Sequence, residues 1–309
     1  MRYTSLQKTD FQISVIGIGT NKVGGHNYFK DLNEEEGKAF VKEAIRLGVN
    51  FIDTADVYGH GRSEELIGEA LKEIGVKREE LFIATKGGCQ WGADGSTRIN
   101  NRPEYLRSAL EASLKRLQTD YVDLYYLHFP DNETPIAESV GELARLQEEG
   151  KIRAIGVSNL SLEQLQEADR TAAVTALQAA YNMFDRSVEA DVLPYCAQHG
   201  ISFIPYFPLA SGLLSGKYKV GDPAIRRMSQ EEFDEKVNIA ERLKGVAAEK
   251  QTTLPNLALA WLLAQDGVDA VIPGGRRPDH IRGLIEAAEI ELSASDIERI
   301  DAILKGRAD

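Results

Sequence analysis

Asn50-Phe51-Ile52-Asp53-Thr54-Ala55-Asp56-Val57-Tyr58-Gly59 starts as a short apolar run and turns polar where the run stops. Before it, Asn33-Glu34-Glu35-Glu36 reads as the capping box of a helix that ends at Gly48, a natural left-handed stop. The unit is therefore helix, turn, short strand, and it recurs along the chain. Candidate strands are Val15–Gly17, Asn50–Thr54, Phe82–Lys86, Asp123–His128, Ile152–Ser158, Ala176–Ala179, Ser202–Tyr206 and Ala270–Pro273. Nearly all are separated by an amphipathic helical stretch, the signature of parallel β/α layering. These runs predict an α/β fold, a single (β/α)8 TIM barrel spanning 1–309, and a hairpin of Tyr3–Leu6 with Phe11–Ile13 plugging its bottom.

The punctuation agrees. Ser161-Leu162-Glu163-Gln164 is a second capping box, Pro103 suits a first helical turn, and Gly200 closes the helix before Ser202. Two segments, Gly87–Asn101 and Pro208–Ser229, exceed ordinary loop length. After strands of a barrel, such loops lie on the catalytic face. A doubly wound dinucleotide fold would need a GxGxxG fingerprint, and Gly17-Ile18-Gly19 is followed three residues on by Lys22. Gly212-Leu213-Leu214-Ser215-Gly216-Lys217 likewise misses the P-loop spacing.

Composition excludes several classes. With 43% hydrophobic and 27% charged residues, the chain of 309 residues reads as globular. It has no apolar run of about 18 residues and no signal-peptide core. Cys89 and Cys196 make neither a disulfide framework nor a CxxC motif, so a cytoplasmic protein is expected, and no compact metal-ligand cluster is present. Lys and Arg total 36 against 48 Asp and Glu, a net charge of −12, which argues against nucleic-acid or membrane partners. An anionic ligand would need a local basic site.

Asp53, Lys86 and His128 end candidate strands, and Tyr58 lies five residues beyond Asp53. A barrel brings such strand ends to one mouth. Reduction of a carbonyl needs a hydride at carbon and a proton at oxygen. A Tyr whose pKa is lowered by a neighbouring Lys, a Lys held by Asp, and a His orienting the oxygen form a complementary set. Taken singly, each has a bland reading: a cap, a packed ring, a solvated lysine, a core histidine. Their joint placement at successive strand ends favours chemistry.

At this point the chain resembles the aldo-keto reductase superfamily, and within it the bacterial reductases of inositol-operon type. The resemblance runs through Ile16–Asn21, Phe51–Gly59, Gly61–Glu64, Ala84–Lys86, Asp123–His128, Gly150–Asn159 and Ile272–Gly274. It implies NADPH as cofactor, a small carbonyl or alcohol substrate, and a catalytic tetrad of Asp53, Tyr58, Lys86 and His128 with Tyr58 as general acid. It assigns Ser158, Asn159 and Gln178 to the nicotinamide carboxamide, Tyr206 to stacking on the nicotinamide, and Thr20, Asn21 and Asp53 to the ribose side. Phe207, Pro208, Leu209, Ser211 and Gly212 would wrap the pyrophosphate, with Lys217 and Arg227 neutralising it. Gly274, Gly275, Arg276 and His280 would hold the adenosine 2′-phosphate. His280 and Leu284 depart from the Gln and Asn usual near the adenosine, and Leu284 cannot make an Asn's hydrogen bonds. Trp91 and Phe129, with Tyr28 and Phe29 nearby, are expected at the substrate pocket beside Tyr58 and His128.

A second reading is a redox-sensing or regulatory nicotinamide-binding module, since channel β-subunits share this barrel and tetrad. Those proteins usually carry an extra N-terminal segment, whereas Met1 here leads almost directly into the hairpin. An enzyme acting as a monomer or weak homo-oligomer is the expectation.

Overall fold

The computed structural model describes residues 1–306 except 93, 132, 226 and 227. Its first half runs β1 (Tyr3–Ser5), β2 (Gln12–Ser14), β3 (Ile18–Gly19), α1 (Asn21–Gly24), α2 (Glu34–Arg46), β4 (Phe51–Asp53), α3 (Arg62–Ile74), β5 (Phe82–Gly87), β6 (Cys89–Trp91), β7 (Thr97–Ile99), α4 (Pro103–Leu117) and β8 (Val122–Leu127). The second continues with α5 (Ile136–Glu148), β9 (Ile152–Ser158), α6 (Leu162–Thr171), β10 (Val174–Ala180), α7 (Val192–His199), β11 (Ser202–Tyr206), α8 (Gln230–Glu249), α9 (Leu254–Leu263), α10 (Pro278–Arg282) and α11 (Ala294–Leu304).

Parallel strands in the order β11-β10-β9-β8-β5-β4-β3 form most of the barrel wall. The expected eighth strand, Ala270–Pro273, is present as isolated parallel bridges instead of a continuous ladder. Val271 bridges Ile16 and Val268 bridges Phe203, so the segment still spans the gap. Backbone bonds from Gly17 N–H to Val271 O (2.8 Å), Val271 N–H to Val15 O (2.9 Å) and Phe203 N–H to Gly267 O (3.0 Å) close the ring. Pro273 explains part of the broken ladder, because it has no N–H to give. The first strand is likewise displaced: of residues 15–17 Ile16 alone makes a bridge, and the ladder proper begins at Ile18.

Strand alternation sorts the side chains into two cores. Phe51, Phe82, Ala84, Leu124, Tyr126, Ala154, Ala176, Ile204, Ala270 and Ile272 fill the barrel. Ile52, Ile83, Tyr125, Ile155, Leu177, Phe203 and Val271 face outward and pack with the surrounding helices. One inward step beyond the filled layers, the same parity reaches Asp53, Lys86, His128, Ser158, Gln178 and Tyr206. The floor is the hairpin of β1 and β2, whose Leu6 and Ile13 join the interior cluster fully buried.

Local chemistry fixes the helix starts. Asn33 accepts from the Glu35 and Glu36 amides, and Ser161 makes the reciprocal capping box with Gln164. The long segment Gly87–Asn101 is not an irregular loop: it folds back as the hairpin of β6 and β7, pairing Cys89 with Ile99. Within Pro208–Ser229, a 3-10 turn covers Ala210–Ser215, with Ser211 (φ 59°) and Gly212 (φ 98°) left-handed.

Leu6, fully buried, is one of the hairpin's contributions to the barrel floor. Leu6→Ala should destabilise the protein by about 2–5 kcal/mol, the usual cost of such a buried truncation. Urea unfolding measures it, and a loss below about 1 kcal/mol would show that the hairpin does not plug the core.

Candidate active site

Asp53 and Lys86 meet at the top of the filled barrel. Lys86 Nζ lies 2.6 Å from Asp53 Oδ1 and also donates to the Thr54 carbonyl at 2.7 Å. The two residues are 2% and 1% exposed, so the pair is out of water. Asp53 Oδ2 accepts from Gln178 Nε2 at 2.9 Å. Its backbone carbonyl accepts from both the Thr20 amide and the Thr20 hydroxyl. Thr20 is fully buried, and its hydroxyl is spent bracing the strand that presents Asp53 instead of opening toward a ribose.

Tyr58 stands half-buried over this pair, with Lys86 Nζ 5.6 Å from its ring centre. Its pKa is not lowered as expected: burial first, then the Asp53 charge and the neighbouring Tyr28, push it well above the phenolic range. The Lys86 ammonium that was to favour the phenolate is engaged by Asp53 and the Thr54 carbonyl. A phenol in this setting keeps its proton at neutral pH. His128 is 7% exposed, its ring edge-on to Tyr58 with centroids 6.3 Å apart and stacked on Phe129 at 4.6 Å. Burial, and secondarily the Lys86 charge, hold its pKa well below the usual imidazole value, so it is neutral.

The residues expected at the nicotinamide form one network with the tetrad. Tyr206 donates to Asn159 Oδ1 at 2.8 Å, while Asn159 Nδ2 donates to the His128 carbonyl and to Ser158 Oγ. Asn159 adopts φ 59°, a left-handed strain that aims its amide across the mouth. Around Tyr58, Tyr28 packs edge-on at 6.3 Å, and Trp91 stacks on His60 with centroids 5.2 Å apart. Phe129 is exposed beside His128. Phe29 lies under Lys22, whose Nζ is 5.5 Å from its ring centre.

At the far end, Lys22, Lys217 and Arg276 converge. Burial lowers the Lys22 pKa, and the like charges of Lys217 and Arg276 lower it further. Lys217 Nζ would come 3.5 Å from a Cβ at Gly212, which places it against the left-handed turn. Successive residues of this kind turn backbone amides toward an anion, and the cation group supplies the charge. The donor set therefore fits a nicotinamide dinucleotide running from Asn159 to Arg276. Two expected contributors behave differently. Gly275 is buried, and a Cβ there would stand 2.3 Å from the Phe40 ring, so packing demands this glycine; Gly274 is the exposed one. His280 Nδ1 accepts the Arg276 amide at 3.3 Å and closes the loop. Arg277 pairs with Asp279, Leu284 is buried, and Arg227 lies outside the described residues.

Residues 15–305 match the Aldo/keto reductase family model. The chain belongs to the aldo-keto reductase family. It is 39% identical to a probable aldo-keto reductase 1 of Glycine max, over 94% of this chain and 85% of that protein. It is 35% identical to an NADH-specific methylglyoxal reductase of Escherichia coli, over 96% of each. Among solved structures, a glycerol dehydrogenase from Gluconobacter oxydans superposes with a TM-score of 0.92 at 30% identity, over 99% of this chain and 95% of that one.

Several residues of this aldo-keto reductase site carry no sequence signal of their own. Lys22 is one. Asn27 is another: its amide donates to the Val57 carbonyl and accepts the Gly59 amide, holding the Tyr58 turn from both sides. His60 (φ 53°) and Cys89 are brought in by loop geometry. Among the described residues no group of three or more His, Cys, Asp or Glu could hold a metal ion.

Asp56, two residues before Tyr58, is 1% exposed, and neither carboxylate oxygen has a well-formed hydrogen bond, the Val57 amide giving only weak compensation. Burial, then the charge of Glu64, raises its pKa well above the carboxylate range. A raised folded-state pKa gives stability that is complete below the ordinary value of about 4 and is lost as pH rises toward the folded one. Asp56→Asn should remove that decline, so that the wild type loses on the order of 1 kcal/mol or more relative to the variant between pH ~4 and neutrality. Urea titrations across pH measure it. Parallel curves would mean that Asp56 is ionised in the fold.

Proposed function

We propose that this aldo-keto reductase uses NADPH to reduce small aldehydes or ketones to alcohols, with Tyr58 as the proton donor. The observation that carries this reading is the convergence of a protonated phenol, a neutral imidazole and a buried lysine–carboxylate pair at one barrel mouth. When bound, the cofactor supplies the hydride. The chain's own groups handle the oxygen. His128 offers a ring N–H to the carbonyl oxygen and holds it beside the Tyr58 hydroxyl. As charge develops on that oxygen, the Tyr58 proton passes to it, and the nearby Lys86 ammonium steadies the phenolate left behind. Asp53 fixes Lys86 for that task. Ser158, Asn159 and Gln178 orient the carboxamide, and Tyr206 supports the nicotinamide face. Tyr28, Trp91 and Phe129 rim a mouth suited to a small, partly apolar carbonyl compound.

Family membership leaves the choice between NADPH and NADH open, since one relative is NADH-specific. The reading of NADPH rests on Arg276, exposed and next to Lys22 and Lys217, in a chain whose net charge is −12. The two isolated cysteines and the net charge of −12 support a cytoplasmic enzyme, one domain acting as a monomer or weak homo-oligomer without nucleic-acid or membrane partners.

Tyr58→Phe should bind NADPH nearly normally and lose about 10²–10⁴-fold in carbonyl reduction, the usual worth of a general acid. Residual turnover within about twofold of wild type would end the role given to Tyr58. Arg276→Ala should weaken NADPH by about ten- to hundredfold, the worth of a guanidinium–phosphate bond, and leave NADH almost untouched. Fluorescence titration of both cofactors decides this. Equal losses would make Arg276 a loop support, and a wild type that prefers NADH would overturn the NADPH reading.

A further inference from the structure

Gly88, at φ +104°, turns the chain back from β5 into β6, and a Cβ there would strike Asn101 Oδ1 at 2.5 Å. The turn lands Cys89 beside His128, with Sγ 3.6 Å from Nδ1. Cys89 is clamped in place: it pairs with Ile99 in the β6–β7 hairpin, and its carbonyl accepts the Tyr105 hydroxyl at 2.9 Å. The thiol is 3% exposed among Ala55, Val57 and Ile99.

We propose that the Cys89 thiol is a positioning residue that donates to His128 Nδ1 and so fixes the ring's single proton on Nε2. The inference rests on the reading of His128 as the group that donates to the substrate oxygen. A neutral imidazole carries its proton on either nitrogen, and the partner of one nitrogen sets the state of the other. Burial pushes the Cys89 thiol up to about 12, so it holds a proton to give. In the arrangement proposed, that proton meets the Nδ1 lone pair and Nε2–H remains for a carbonyl oxygen. In the reverse arrangement, Nδ1–H points at sulfur, a weak acceptor, and the thiol proton faces the apolar walls. The Nε2 lone pair would then meet the lone pairs of the substrate oxygen. Among the described residues no carboxylate is hydrogen-bonded to this ring, so the thiol takes the orienting part that a carboxylate or carbonyl plays for many functional histidines.

The test reads the proton directly. In ¹⁵N-histidine-labelled full-length protein, long-range ¹H–¹⁵N spectra resolve the five histidines, and His128→Gln identifies the His128 signals. Wild type and Cys89→Ser should show a protonated Nε2 and a bare Nδ1, whereas Cys89→Ala should show a mixture of tautomers. In turnover, Cys89→Ala should lower kcat about three- to tenfold, the worth of one neutral hydrogen bond, with the cofactor KM unchanged. Cys89→Ser should restore kcat to within about twofold. A wild-type ring protonated on Nδ1, or a Cys89→Ala spectrum identical to wild type, overturns the proposal. Should Cys89→Ala fail to fold, the wild-type and Cys89→Ser spectra still decide it. If the spectra are as expected while His128→Gln keeps full turnover, the role of Cys89 stands and the reading of His128 falls.

Discussion

A lysine ammonium and a carboxylate, both out of water, sit 2.6 Å apart at the top of the barrel. Removing either partner of such a pair costs about 3–5 kcal/mol, because the survivor is left buried and uncompensated. The surrounding structure is arranged so that this does not happen. The second Asp53 oxygen is met by Gln178, its strand is braced by Thr20, and the remaining Lys86 reach goes to the Thr54 carbonyl. Ser63 in turn donates to the Thr20 carbonyl, so α3 is tied to the same point. These bonds compensate the buried pair where the apolar barrel ends. They also leave Tyr58 and His128 as the groups free to change partners.

Strand parity does most of the placing. Phe82, Ala84 and Lys86 are successive inward positions of β5, and Leu124, Tyr126 and His128 are the same for β8 and the residue after it. This was legible in the sequence, because an apolar run of known phase that ends in a polar residue says which way that residue points. The barrel, the plug and the meeting of Asp53, Lys86 and His128 were expected from β/α alternation and from strand ends that share one mouth. The sign of the Tyr58 shift was not. A linear reading sees a lysine, held by an aspartate, near a tyrosine, but not the burial that raises the phenol's pKa. Nor does sequence show that Gly275 is demanded by Phe40, or that His280 turns inward to its own loop.

Residues contributed by turns were the hardest to read. Asn27, His60 and Cys89 reach the site through backbone paths with left-handed steps at Gly59, His60 and Gly88. No periodicity records such steps. Lys22 was invisible for a different reason: its importance comes from the company of Lys217 and Arg276, which lie far along the chain on two other segments. Under the proposed reading, the cofactor end is an electrostatic assembly of loops, whereas Asp53, Lys86 and His128 are placed by strand phase.

That contrast bears on how the two ends respond to change. Asp53, Lys86 and His128 sit at or just after the ends of ladder strands, where shifting one residue would invert the parity of a whole strand. The cation group hangs on the segment after a 3-10 turn, a short α1 and a loop entering the five-residue α10, all outside the continuous strand ladder. In the proposed reading, cofactor selectivity is set apart from the catalytic groups on this scaffold. An NADH-specific relative at 35% identity, aligned over nearly its whole length, is what such a division of labour permits. Under the proposed reading, the hydride and proton steps are fixed by the fold, and the choice of dinucleotide is decided by a few loop charges at the opposite end of the groove.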